Sequence, residues 1–121
     1  MSIQGIFYVA AHVSDLARSR QFYGDKLGWK LETSETDVAG FRFGSGYLVL
    51  LADAGAAHAG AQPGGMHVAV LVEDIDSEYA RLREAGVEVG PLLSQPWGER
   101  NFSFRDPDGY EWSYGQSGQG A

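Results

Sequence analysis

Histidine and cysteine, the usual ligands of transition metals, are scarce in this 121-residue chain. There is no cysteine, which excludes thiolate ligands and a cysteine nucleophile, and there are three histidines, His12, His58 and His67. His12 ends the first strand-like run and His58 lies in an Ala/Gly-rich segment, so His67 is the histidine we consider as a ligand for zinc, nickel or iron, or as a general base. Glu111 shares a strand face with Ser113, because side chains alternate along a strand. A metal site that combines His67 with Glu111 is one open interpretation, and a histidine that only forms hydrogen bonds is the other.

Trp97 is a candidate of a different kind, for stacking against a flat ligand. It lies between Pro96 and Gly98, and a tryptophan flanked by these residues does not easily join a regular core. The alternative is a loop anchor that only packs on a sheet. Glu99 and Glu111 are the carboxylates expected near such a stacking site, where negative charge would favour a flat cation.

The charge of the chain argues against one class of partner. Nine Lys and Arg residues against sixteen Asp and Glu residues give a net charge of −7. Nucleic-acid binding needs clustered positive charge, so we expect no nucleic-acid partner. Acidic surfaces keep proteins in solution, and they also concentrate cationic ligands.

The composition also predicts where the protein acts. No apolar stretch approaches the roughly 18 residues that span a bilayer, so we expect no membrane partner. The first residues, MSIQGIFYVAAHV, lack the basic start and the cleavage site of a secretion signal. Together with the lack of cysteine, this predicts a cytoplasmic protein.

The elements that must position these residues occur twice. The pattern Phe-Arg-x-x-x-Gly-Tyr starts at Phe41 and again at Phe104, and each copy leads into a hydrophobic strand. The sequence Val-Ser-Asp-Leu at residues 13–16 is echoed by Val-Glu-Asp-Ile at residues 72–75. Each of these two segments follows a strand-like run, so it marks the end of a strand and the start of a helix.

Both helices carry start and stop signals, a serine or aspartate that can cap the first turn and a glycine that ends the last. These residues are Ser14 or Asp15, with Gly28, for the first helix, and Asp74 and Gly86 for the second. After each helix we predict a short strand, Trp29–Thr33 or Val87–Val89. On the final strand, Trp112 and Tyr114 should point to the helix side and belong to the core.

The order strand, helix, strand, strand, strand occurs twice. This predicts the α+β class, with two tandem βαβββ units that form curved mixed sheets around a concave cavity. The chain is then a single domain, residues 1–121. Its expected parts are a first unit at 3–51, an Ala/Gly/Pro-rich linker at 52–65, a second unit at 66–116 and a flexible tail at 117–121.

This pattern resembles the vicinal oxygen chelate superfamily, which includes glyoxalase I, extradiol dioxygenases and bleomycin-resistance proteins. The resemblance covers residues 3–116 and is most specific in DLARSRQFYGDKLGW and QPWGERNFSFRDPDGYEW. The second stretch is similar to the bleomycin-binding branch, where a Q-P-W-G-R segment leads into an R-D-P-x-G turn. The resemblance therefore implies a binding protein of that branch.

The resemblance also implies where a metal would be held. The family's four ligand positions face the cavity and fall here at Tyr8, Leu50, His67 and Ser113. Only His67 is a usual ligand, and Leu50 has no donor atom at all. We therefore expect no metal cofactor, with a divalent metal as the alternative.

For the ligand, the resemblance assigns Trp97 to the tryptophan that stacks on the flat part of the drug. The second stacking aromatic of that branch falls here at Val38, an aliphatic residue, which argues against bleomycin itself. A different planar ligand could stack on Trp97 with Tyr8, Phe41 or Tyr47 opposite.

These observations favour a metal-independent binding protein that sequesters a planar, cationic or weakly basic antibiotic. The alternative is a lyase, isomerase or dioxygenase-like enzyme of the same superfamily that uses His67, with Glu111 as a second candidate base, with or without a divalent metal. A module that uses only its surfaces is a third reading. The resemblance further implies a homodimer with pockets at or near the interface, and exposed sheet edges give a reason to pair.

Overall fold

A computed structural model describes Ser2, residues 4–52 and residues 67–117 of the chain. The chain divides into two compact units, Met1–Ala61 and Gln62–Ala121. The predicted linker and the predicted tail lie outside the described residues, except for Ala52 and Ser117. No helix in the described ranges is long and apolar enough to cross a membrane.

The first unit has the predicted βαβββ order. Its elements are β1 (Val9–Val13), α1 (Leu16–Arg20), β2 (Lys30–Ser34), β3 (Val38–Phe43) and β4 (Gly46–Ala52). The helix α1 continues directly as a π-helical segment, Gln21–Lys26. The sheet order is β1-β4-β3-β2, in which β1 is parallel to β4 and the other neighbours are antiparallel. The sheet is therefore mixed, as predicted.

The second unit repeats this order and this topology. Its elements are β5 (Val68–Leu71), α2 (Ile75–Glu84), β6 (Leu93–Ser94), β7 (Arg100–Arg105) and β8 (Glu111–Gln116). The sheet order is β5-β8-β7-β6, again with one parallel pair, β5 and β8. The predicted α+β class and the tandem βαβββ organisation are confirmed.

Both helices begin at the predicted caps. The carboxylates of Asp15 and Asp74 each accept a hydrogen bond from the backbone N–H three residues later, at 3.2 Å. Such a cap satisfies a backbone donor that has no partner within the helix. The predicted stops, Gly28 and Gly86, both have positive φ, 77° and 87°.

The helical segment of the first unit covers one face of its sheet. Tyr23 and Leu27 are buried on this side, and the Tyr23 ring lies 5.9 Å from the Phe41 ring. Leu48 and Leu50 point to the same side of the sheet, and neither has any exposed surface. Burial of these side chains contributes to the apolar core of this unit.

The resemblance implies that Leu50 and Phe41 lie on the ligand side of the sheet, whereas the structure places both on the side that the helix covers. Both side chains are fully buried on the helix-covered face. Phe41 on β3 pairs with Leu48 on β4, and Leu50 on β4 pairs with Ala11 on β1, so these side chains share one face of the sheet. An error of one residue moves a side chain to the opposite face of a strand. The apolar run of β4 offers no alternation of polar and apolar residues from which the correct face could be inferred.

The core of the second unit is aromatic. The Tyr79 ring of α2 lies 5.0 Å from the Phe102 ring, and the Tyr114 ring lies 5.6 Å from Phe102 and 5.2 Å from Phe104. Trp112 and Tyr114 are each 3% exposed. The prediction that these two residues belong to the core is confirmed.

The strands that follow the helices differ from the prediction. The strand β2 starts one residue later than expected, at Lys30. The segment Val87–Val89 forms only one bridge, from Val89 to Phe104, and the paired strand β6 begins at Leu93. Pro91 lies between the two, and proline has no N–H to donate to a ladder, so pairing is interrupted there.

The face assignment of β4 can be tested by truncation. Leu50→Ala should lower the free energy of unfolding by about 2–5 kcal/mol, because it leaves a cavity in a packed core. Leu51→Ala is the matched control, since it makes the same change at the next residue, which is only half-buried on the opposite face. Urea unfolding should show the smaller loss for Leu51→Ala. A larger loss for Leu51→Ala would reverse the assignment of the two faces.

Candidate ligand-binding groove

On β5 and β8, the face of the second sheet that α2 leaves uncovered carries small residues at Ala69, Ser113 and Gly115, together with the larger Leu71. The ladder between β5 and β8 places Ala69 beside Ser113 and Leu71 beside Gly115. The aromatic residues between them on β8 point to α2, so these residues point the other way. Small side chains leave space above the sheet, and that space is where a ligand could lie.

A groove of about 320 Å³ lies at the end of this face where β5 and β8 finish. Among the residues that line it are Leu71, Trp97, Glu99, Gly115 and Gln116. Leu71 is 80% exposed and Trp97 is 65% exposed. Two large apolar side chains therefore remain open to solvent at the groove, which is typical of a binding surface.

A tight turn presents the Trp97 side chain. The backbone N–H of Gly98 donates to the carbonyl of Gln95 at 2.9 Å, and the N–H of Gln95 donates to the carbonyl of Glu99 at 2.7 Å. Pro96 takes the second position of the turn, which its fixed φ favours. Gly98 has a φ of 98°, a backbone conformation that side chains disfavour. The tryptophan is thus held at the tip of the turn and not in a core.

Hydrogen bonds on both carboxylate oxygens fix the Glu99 side chain. The Trp97 indole Nε1–H donates to Oε1 at 2.8 Å, and the Asn101 amide Nδ2 donates to Oε2 at 3.1 Å. The Asn101 amide is itself held by Gln95, whose Nε2 donates to Oδ1 at 3.3 Å. The hydrogen bonds from Trp97 and then Asn101 lower the pKa of Glu99 below its ordinary value of 4.5. The carboxylate is therefore charged at neutral pH.

Gly115 makes room for this carboxylate. A Cβ atom added at Gly115 would lie 2.5 Å from Oε2 of Glu99 and 3.7 Å from Cβ of Asn101. Any other residue at this position of β8 would therefore displace the carboxylate. No sequence motif marks Gly115, Asn101 or Gln95 as functional residues. A glycine inside a predicted strand was the available signal, because it often marks a close approach to the backbone.

The structure separates the other predicted residues of the second unit from Trp97 and Glu99. Glu111 lines a different groove, of about 350 Å³, and pairs with Arg105 at 3.4 Å. His67 is exposed and directly precedes β5, whose first pair joins Val68 to Trp112. His67 and Glu111 therefore lie at the opposite end of β5 and β8 from the Trp97 groove. Ser113, between the two ends, is buried.

The predicted residues of the first unit other than Phe41 and Leu50 lie outside its core. Tyr8 is 50% exposed, and Val38 is half-buried opposite Leu51 in the β3–β4 ladder. The Tyr47 hydroxyl is hydrogen-bonded to Thr33 Oγ1 at 3.0 Å. Of the predicted ligand-binding set, the structure brings Trp97 and Glu99 together at one groove.

The residues at the family's metal positions do not fit a divalent metal. Leu50 points into the core, and its neighbours on the opposite face, Val49 and Leu51, are also aliphatic. Within residues 4–52 and 67–117, no three His, Cys, Asp or Glu side chains come together as a possible metal site. His58 lies outside those ranges. We derive no chemistry through a metal from this donor set.

The chain belongs to the Glyoxalase/Bleomycin resistance protein/Dioxygenase superfamily, whose family model matches residues 5–114. The matched range includes the turn that carries Trp97 and both sheets, except for the last two residues of β8. The resemblance inferred from the sequence motifs is thus confirmed.

Several known proteins are similar over almost their whole length. A superfamily protein from Nocardioides is 30% identical, with a TM-score of 0.78, over 100% of this chain and 88% of that chain. TnmS3, an antibiotic binding protein from Streptomyces sp. CB03234, is 27% identical, with a TM-score of 0.80, over 97% of this chain and 98% of that chain. The uncharacterized protein YwkD of Bacillus subtilis is 28% identical in an alignment of 119 residues that covers 89% of this chain and 93% of YwkD.

The fluorescence of Trp97 should report the protonation of Glu99, because the indole donates to that carboxylate. The lowered pKa means that the carboxylate stays charged until the pH falls below the ordinary value of 4.5. Any stability from this contact is complete above the unfolded-state pKa and is lost as the pH falls through the lower folded-state pKa. A pH titration of the fluorescence should therefore have its midpoint below 4.5.

Two variants test whether Trp97 and Glu99 cause this pH-dependent change in fluorescence. Trp97→Phe should remove the fluorescence change, because the reporting indole is gone. Glu99→Gln should make the fluorescence independent of pH in this range, while all three tryptophans still emit. Circular dichroism at each pH separates this change from acid unfolding. A wild-type midpoint at or above the ordinary glutamate pKa would contradict the observed hydrogen bonding.

Proposed function

We propose that the protein binds a planar small molecule, a cationic or weakly basic antibiotic, without a metal and without a chemical step. The ligand stacks on the Trp97 indole in the groove at the end of β5 and β8. The observation that carries this proposal is a 65% exposed indole whose N–H is engaged by Glu99 beside an apolar groove. The cysteine-free composition supports the cytoplasm as the place where it acts.

The geometry supports stacking over other modes of binding. The indole has one polar group, and its hydrogen bond to Glu99 lies at the ring edge, so the ring faces remain available. The groove volume of about 320 Å³ lies within the range of roughly 300–1,000 Å³ of small-molecule sites. An offset stack adds about 0.5–1.5 kcal/mol beyond the burial of apolar area.

The comparisons support a binding protein in this superfamily. TnmS3 is described as an antibiotic binding protein, and it is similar to this chain over nearly all of both chains. A lactoylglutathione lyase from Agrobacterium tumefaciens has the same fold at 22% identity, which shows the fold alone. The enzyme alternative would place its chemistry at His67 and Glu111, which lie away from the Trp97 groove. The two readings can therefore be separated by variants.

Removing the Trp97 ring should weaken the binding of a planar ligand. With 9-aminoacridine as the probe, we expect isothermal titration calorimetry to give a Kd about tenfold higher for Trp97→Ala, because the stacking surface is lost. Trp97→Phe should retain most of the affinity, since it keeps a ring. Bleomycin and mitomycin C extend the panel to antibiotics.

His67→Ala is the matched control, and it should bind the probe as the wild type does. Dialysis against EDTA should likewise leave the affinity unchanged. Equal affinity for the wild type and Trp97→Ala would count against the proposal. Loss of binding after EDTA treatment or in His67→Ala would favour the alternative site instead.

We further propose a homodimer with the ligand pockets at or near the interface. Ile6 and Phe7 are 86% and 90% exposed, and they immediately precede Tyr8 and β1, which is an edge strand of the first sheet. An uncovered apolar segment beside a sheet edge favours association with another chain. A second copy of this chain would cover these side chains.

Sedimentation should therefore give a mass of about twice the 13.1 kDa of one chain. Ile6→Ser combined with Phe7→Ser should shift the protein toward the monomer. Leu31→Ser, at a residue that is 40% exposed on β2, is the control and should not. A wild-type monomer at the concentrations of the binding assay would refute the dimer.

A further inference from the structure

The Glu99 carboxylate is fixed at the groove by neutral donors. Trp97 and Asn101 each occupy one of its oxygens, at 2.8 Å and 3.1 Å, and neither donor carries a charge. A carboxylate has about four lone-pair sites, so about two remain for other donors. The negative charge is oriented by these contacts but not cancelled by them.

The neighbouring arginine is directed elsewhere. Arg100 follows Glu99 in the sequence, yet its guanidinium forms two hydrogen bonds with Asp76 of α2, at 3.0 Å and 3.1 Å. In the part of the chain that the structure describes, arginines also form ion pairs with Glu32, Glu78 and Glu111, and none with Glu99. Among the described residues, the groove carboxylate thus has no cationic partner.

The strand β8 has a glycine, Gly115, where the Glu99 carboxylate approaches it. Gly115 permits a closer approach than any side chain would allow, since a Cβ there would lie 2.5 Å from Oε2. The Nε1–H bond meanwhile holds the carboxylate beside the edge of the indole. A ring stacked on Trp97 would therefore bring substituents at its own edge toward the Glu99 oxygens.

We propose that Glu99 determines ligand specificity by selecting a flat ring that carries a positively charged nitrogen, such as a protonated amine or amidine, at its edge. This inference rests on the proposed function, because it needs the ring to stack on Trp97. The nitrogen donates to the free lone pairs of Glu99 and completes the ion pair that the groove otherwise lacks. Gly115, Asn101 and Gln95 are positioning residues for this carboxylate.

The test compares two tricyclic probes by isothermal titration calorimetry at pH 7, 9-aminoacridine, which is protonated, and acridone, which is neutral. The wild type should bind 9-aminoacridine about tenfold more tightly than acridone, which corresponds to about 1.4 kcal/mol. Glu99→Gln should remove this preference by weakening the binding of 9-aminoacridine and not that of acridone. The amide oxygen can still accept the hydrogen bond from Trp97, but the side chain has no charge. The wild-type preference should also shrink as salt is added.

Glu84→Gln is the matched control for net charge, since it removes one negative charge from an exposed residue on α2, outside the groove. It should leave the preference unchanged. Gly115→Ala should reproduce the effect of Glu99→Gln by displacing the carboxylate, and acridone binding shows that the groove of this variant is intact.

The outcomes distinguish failure of the inference from failure of the proposed function. If neither probe binds the wild type, the stacking function itself fails. If both probes bind equally and Glu99→Gln changes neither, stacking stands and the selecting role of Glu99 is wrong. If Glu84→Gln weakens the binding of 9-aminoacridine as much as Glu99→Gln does, the preference is caused by the net negative charge of the protein, and the inference is overturned.

Discussion

The hydrogen bond from the Trp97 indole to the Glu99 carboxylate is the interaction on which the candidate site depends. It anchors the ring by its edge, so that the apolar faces are not needed for structural packing. It also lowers the pKa of Glu99, and so keeps a charge at the groove. A flat surface and a negative charge are thereby held side by side, which is the combination that a flat cation requires.

The faces of the two sheets decide which residues can take part. In each unit a helical segment covers one face, and the alternation of side chains assigns every second residue to that core. Phe41 and Leu50 fall on the covered face, so their rings and methyl groups stabilise the fold. In the second sheet the opposite face carries Ala69 and Gly115, and their small size leaves the space that Trp97 borders.

Much of the fold could be predicted from short-range signals. The helix caps at Asp15 and Asp74 depend only on neighbouring residues, and the twofold repeat is visible in the sequence itself, so together they were sufficient for the element order. Trp97 was also found this way, since its flanking Pro and Gly exclude a regular core. Gly115 and Asn101 were missed, because their contact with Glu99 depends on how β7 and β8 are aligned in space. The uniform apolar run of β4 likewise concealed the face of Leu50.

Nuclear magnetic resonance of the indole N–H groups tests the central claim most directly. Three tryptophans give three such signals, and only Trp97 is exposed, whereas Trp29 and Trp112 are buried. On titration with 9-aminoacridine, the Trp97 signal should shift together with the backbone amides of Glu99 and Gly115. Shifts confined to residues around His67 and Glu111, with the Trp97 indole signal unchanged, would contradict the account.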